Sequence, residues 1–148
     1  RTLASAYTVV RRRMTHTFNA TYQREGAPGW RLKSWEDANM LLRYLNPAGP
    51  SSASFTLDDG SYIQCAGSKT RLTIEARLIR ASGFHHVVFG RGPLIGTTEL
   101  ISCSVGPISV DASQILQMRD ARKLIRHFVE HRQFLDSYAT TDVTIRFQ

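Results

Sequence analysis

Near the C-terminal end of this chain Ala121, Leu124, Ile125, Phe128 and Val129 recur at the i, i+3, i+4, i+7, i+8 spacing. That spacing puts them on one side of a helix. Arg122, Lys123, Arg126, Glu130 and Arg132 fall outside the stripe, so the pattern predicts an amphipathic helix from Met118 to about Arg132. Such a helix gains most of its stability by burying its apolar side. The rest of the chain must therefore supply a surface to cover it.

The upstream residues supply one with a different period. Leu72, Ile74, Ala76 and Leu78 alternate with Thr73, Glu75 and Arg77, the mark of a strand with one face toward a core and one toward water. Ser54 to Leu57 and Ser61 to Cys65 flank Asp58-Asp59-Gly60, where Asp-Gly between two β-like runs reads as a hairpin turn. Phe84 to Phe89, Glu99 to Val105 and Ile108 to Val110 extend the pattern toward completing one sheet, and Val143 to Phe147 reads as a closing strand. An earlier alternation, Thr15, Thr17, Asn19 and Thr21 against His16, Phe18, Ala20 and Tyr22, reads as a first strand that ends at Gly26, Pro28 and Gly29.

A second helix is expected from Ser34 to Leu45. Ser34 is a good N-cap, Glu36 and Asp37 sit where the helix dipole favours negative charge, and Trp35, Ala38, Leu41, Leu42 and Leu45 share one face. Asn46-Pro47 stops it. The expected fold is α+β: a single antiparallel sheet of about five or six strands, with two main helices packed on it. Leu41, Leu42, Ile74, Leu124, Ile125 and Phe128 are the expected core.

The net charge of +7 is unevenly spread. Arg1, Arg11, Arg12 and Arg13 stand in a segment without acids, which leaves 15 basic against 12 acidic side chains, a net of +3, on residues 14–148. We expect residues 1–13 to be a leader or appended segment outside the core and residues 14–148 to form one domain. The longest apolar run falls well short of the roughly 20 residues that a membrane span needs, and no charged n-region precedes an apolar h-region. Cys65 and Cys103 both lie in apolar runs, so buried free thiols in a reducing compartment are expected.

Candidate chemistry is sparse. His85 and His86 are adjacent on a strand, so they point to opposite faces, one inward and one outward, and cannot readily share a metal ion. His127 and His131 have a ligand-compatible i, i+4 spacing, but Phe-Val-Glu between them is not the pattern of a zinc-protease helix. Gly90-Arg91-Gly92-Pro93-Leu94-Ile95-Gly96 looks like a phosphate loop until its context is read: a strand follows it, not a helix. There is no Gly-x-Ser-x-Gly. The expectation is a protein without catalytic, cofactor-binding or metal-binding residues, hence not an enzyme.

The order of elements is similar to that of the first-numbered family of immunity proteins from bacterial polymorphic-toxin systems, such as those of contact-dependent or type VI secretion. The similarity lies in Asp58-Asp59-Gly60-Ser61-Tyr62-Ile63, in Leu72-Thr73-Ile74-Glu75, in Ile108 through Leu116, and in Ala121, Leu124 and Phe128 before a terminal β run. The family's closing strand tends to carry a tryptophan, and Phe147 stands nearest that place here. The resemblance implies a cytoplasmic inhibitor that occupies its cognate toxin without chemistry of its own, with neither a cofactor nor a membrane as partner.

Strand parity and turn position nominate Asp58, Asp59, Tyr62, Glu75, Arg77 and Arg91 as the toxin-binding surface. The alternative is a small nucleic-acid-binding module that uses the basic N-terminal segment and the basic face of the second helix. Against it, the strands lack the aromatic stacking positions of an RNA-binding sheet.

Overall fold

The computed structural model describes residues 17–148. The segment 1–13 and the start of the first expected strand, Met14 to His16, lie outside the described residues. The fold is α+β, with a seven-stranded, wholly antiparallel sheet. In chain order its strands are β1 (Ala20–Arg24), β2 (Trp30–Leu32), β3 (Ser52–Thr56), β4 (Tyr62–Gly67), β5 (Leu72–Arg80) and β6 (Gly83–Gly90), with β9 (Ala139–Asp142) last. Spatially they run β2-β1-β3-β4-β5-β6-β9.

The helices α1 (Trp35–Leu42) and α2 (Met118–His131) are those the sequence predicts. Ser34 caps α1 by accepting from the Asp37 amide at 3.2 Å. The helix ends three residues before Leu45, yet Leu45 is still buried. Along α2 the stripe Ala121, Leu124, Ile125, Phe128 and Val129 is buried, joined by Met118. It meets the inward residues Phe55, Ile63, Cys65, Ile74, Ala76, Val87 and Phe89 in one hydrophobic core. Of the six expected core residues, all but Leu41 are buried, and Leu41 packs half-buried against the core.

Three expectations about the sheet are corrected. It holds seven strands rather than five or six, and one of them, Trp30–Leu32, for which the sequence shows no strand pattern, pairs with β1. Three residues are too short a run to show a period. The strands β7 (Thr98–Ile101) and β8 (Ile108–Asp111) do not complete the main sheet but pair only with each other. The free edge of β6 is taken by β9, so the hairpin is packed against the sheet instead: Ile101 lies against Gly67 at the end of β4. A Cβ at Gly67, whose φ is +129°, would sit 2.5 Å from the Arg71 carbonyl and 2.8 Å from Ile101, so glycine is required there.

The third correction concerns the closing strand. Val143–Phe147 is not extended; the strand is Ala139–Asp142, and Thr144–Phe147 forms a 3-10 turn. The cause is local. The Asp142 carboxylate accepts from the Thr144 amide at 2.8 Å and turns the chain away, while the Thr144 hydroxyl takes the His86 amide at 2.9 Å in place of a ladder carbonyl. An Asp side chain that bonds the backbone two residues on is a known competitor of regular pairing.

Phe128 is fully buried and stacks on Phe134 at 6.2 Å. Phe128→Ala should destabilise the fold by about 3–5 kcal/mol through lost burial and a residual cavity. Chemical denaturation measures this, and a change below about 1 kcal/mol would mean that α2 does not anchor the core.

Candidate functional site

Directly opposed residues in an antiparallel sheet share a face. Tyr62 on β4 is opposite Arg77 on β5, and Arg77 is opposite His86 on β6. Their side chains therefore form a row across three strands, on the face turned away from α1 and α2. Glu75 joins from the next row, where it lies opposite Gln64 and Val88. The 3-10 turn after β9 brings in Phe147, whose ring lies 4.4 Å from that of His86.

The centre of the group is a fully buried His86. Arg77 Nε donates to His86 Nδ1 at 3.0 Å, and His86 Nε2 lies 3.1 Å from Glu75 Oε1. Because Nδ1 accepts, the ring is the neutral tautomer with its proton on Nε2, donated to Glu75. Burial pulls the His86 pKa below its ordinary value; Glu75 pulls the other way and Arg77 reinforces the lowering. The neutral form is the consistent one, since a proton on Nδ1 would face the Arg77 N–H. Both ring nitrogens are occupied and the ring has no solvent exposure. His86 is thus a structural pin and not a general base.

The pin orients Arg77. Its guanidinium carbon lies 4.0 Å from the centroid of Phe84, 4.6 Å from Phe147 and 5.6 Å from Tyr62, all within cation–π range. Its two Nη groups have no hydrogen-bond partner among the described residues. Burial raises the Tyr62 pKa, so the phenol stays protonated beside them. The result is a fixed cation framed by aromatic rings.

The six nominated residues divide three ways. Tyr62, Glu75 and Arg77 come together as described. Asp58 and Asp59 sit at the hairpin tip and bind within the chain: Asp58 pairs with Arg31 at 2.6 Å, and Asp59 with Arg132 at 2.6 Å. Arg132 is the C-cap of α2 in the left-handed region, held there also by the Ile79 carbonyl. Arg91 stands elsewhere, paired with Asp120 at 2.9 Å. Sequence reasoning missed His86, Phe84 and Phe147. The parity of β6 puts Phe84 and His86 on one face, but only the register sets them beside Arg77.

The other candidates resolve as structure. The glycine-rich run 90–96 turns its Ile95 and Gly96 amides onto the Asp111 carboxylate at 3.0 and 2.7 Å. Its anion is supplied by the chain itself. The Ser113 hydroxyl is the largest cause holding Asp111 well below the usual carboxylate range. Glu25 accepts from the hydroxyls of Ser104 and Ser51, which lower its pKa and clasp the loop after β7 to the start of β3. Cys65 is buried, and burial pushes its thiol up to about 12. Cys103 is only half-buried, with its thiol also raised by desolvation. Both cysteines are free.

His85 points to the helix-bearing face, beside Phe134 and 3.3 Å from Asp142. His127 and His131 lie with ring centroids 4.7 Å apart. Among the described residues no group of three or more His, Cys, Asp or Glu side chains could hold a metal ion, and no helix is long and apolar enough to cross a membrane. Comparison of the chain with family models and with curated proteins gave no match.

The His86 assignment has a pH consequence. An unfolded histidine titrates near about 6.5, and its folded counterpart here lies lower. Stability is then full above that value and is lost as pH falls from it toward the folded pKa. His127 is shifted in the same direction by burial, so the test compares slopes. His86→Gln should show a shallower loss of Tm between pH 7.5 and 5.5 than the parent chain. Equal slopes would contradict the neutral, buried His86.

Proposed function

We propose that this protein is an immunity protein: it binds a cognate bacterial toxin stoichiometrically and neutralises it without turnover. The observation that carries the reading is the Arg77 anchor. Arginine and aromatic side chains dominate the energetics of protein interfaces when their geometry is set before binding. Here the His86–Glu75 pair holds the guanidinium in place, Phe84 and Phe147 flank it, and its Nη donors face no partner among the described residues. Phe147 is 48% exposed and Ile145 80% exposed, so apolar surface borders the cation. The resemblance in element order supports the same reading and names the kind of partner.

The toxin-binding surface is accordingly Tyr62, Glu75 and Arg77, extended to Phe84 and Phe147 and reduced by Asp58, Asp59 and Arg91. The basic residues of α2 favour protein binding over nucleic-acid binding. Arg122 is directed to Asn39, Arg126 to Glu130 and the ring of Trp35, and Arg119 and Lys123 into a separate cleft. They form no continuous track for a phosphate backbone.

Co-expression with the toxin encoded beside it should protect a sensitive bacterium, and calorimetry should show a one-to-one complex. Arg77→Gln should weaken that complex at least tenfold, about 1.4 kcal/mol. Because Arg77 also holds His86, Phe147→Ala provides a second variant with little expected effect on the fold and a weakening of the same sign. Equal killing with and without this protein, together with no heat of binding, would overturn the proposal.

A further inference from the structure

A second site lies at the start of α2, away from the Arg77 face. A cleft of about 400 Å³ is lined by Arg91, Arg119, Asp120, Lys123, Ser137 and Tyr138. Asp120 is its one acid among the described residues, and it is already committed. Asp120 is only 3% exposed; its Oδ2 accepts from Arg91 Nη2 at 2.9 Å and from the Gln117 amide at 2.8 Å, while its Oδ1 accepts the Tyr138 hydroxyl at 2.7 Å. Burial, with the Asp120 bond next, pushes Tyr138 up to about 12, so that hydroxyl remains a donor to Asp120. The Arg91 backbone is fixed as well, by its amide to the Ser113 carbonyl at 2.9 Å.

Asp120 therefore offsets one positive charge and leaves two. Arg119 and Lys123 are both exposed, and neither makes a hydrogen bond or ion pair among the described residues. They are i, i+4 on α2, a spacing at which like charges repel. Arg119 also stands in the first helical turn, where the dipole disfavours a cation. One helical turn further on the same helix follows the opposite rule, with Arg126 paired to Glu130 at i, i+4. An anion bound between the two cations would offset their repulsion and suit the positive end of the helix dipole.

We propose that this cleft binds the phosphate group of a small ligand. Arg91 presents its fixed guanidinium, Arg119 and Lys123 supply the unbalanced charge, and Ser137 contributes a hydroxyl. A planar arginine fork held by a buried carboxylate suits the oxygens of a phosphate better than a mobile ammonium does. The cleft is also of the size that accepts a small molecule.

Titration calorimetry of the full chain with pyrophosphate and with free phosphoserine, in low-salt chloride buffer, tests this. Both should bind with a Kd below about 1 mM. The double variant Arg119→Gln with Lys123→Gln should weaken binding at least tenfold, while Arg43→Gln, an exposed cation of another surface, should leave it unchanged. Arg91→Lys keeps the charge and loses the fork, so it should also weaken binding, in a protein whose circular dichroism spectrum is unaltered. No heat from either compound, or binding indifferent to the double variant, would overturn the proposal. Tighter binding of a phosphoserine peptide or an oligonucleotide through the same residues would overturn the small-ligand assignment.

Discussion

The burial of one side of α2 against the sheet is the contact from which the other features follow. Leu124, Ile125 and Phe128 occupy the middle of the inner face and leave that face unable to host a polar site. Each exposed apolar side chain removed from water contributes on the order of a few kcal/mol, so this stripe decides which side of the sheet is core. The polar side chains of β4, β5 and β6 then fall on the opposite face, apart from Arg80 and His85 near the β5–β6 turn. The row of Tyr62, Arg77 and His86 exists because their inward neighbours Ile63, Ala76 and Val87 face α2.

The outer face would be an ordinary wet surface if it were not divided. At one end the β7–β8 hairpin packs down through Ile101 and is tied in by Arg71–Glu99 and by the Glu25 clasp. At the other end the turn after β9 lowers Phe147 onto His86. A histidine under an aromatic lid needs partners for both ring nitrogens, since an unsatisfied buried polar group is costly. Arg77 and Glu75 meet that need. Satisfying the histidine is what immobilises the arginine, so the structural requirement and the proposed binding anchor are one arrangement.

Acidic side chains in this protein mostly serve internal bonds. Asp58 and Asp59 lock the hairpin tip, Asp111 closes a loop, Asp120 joins the start of α2 to Arg91 and Tyr138, and Glu25 fastens two segments. Cations are in excess of acids even on residues 14–148. With the acids engaged in this way, the surplus is left on exposed cations such as Arg119 and Lys123. Exposed pairs contribute little to stability, whereas unbalanced cations on a fixed scaffold shape which partners can approach.

Local pattern alone determined the α+β class, both helices, the inward parity of β5 and the hairpin at Asp58-Asp59-Gly60, because a helical or strand period is written within a few consecutive residues. It also nominated Tyr62, Glu75 and Arg77 from strand parity. What only the tertiary structure decided was their company. His86 meets Thr144 across 58 positions of sequence, and Asp59 meets Arg132 across 73. The Val143–Phe147 run has the alternation of a strand, yet Asp142 turns it into a lid because its carboxylate competes for the next amides. Register, edge occupancy and such side-chain competition are settled between distant segments, and no period in a single run of residues encodes them.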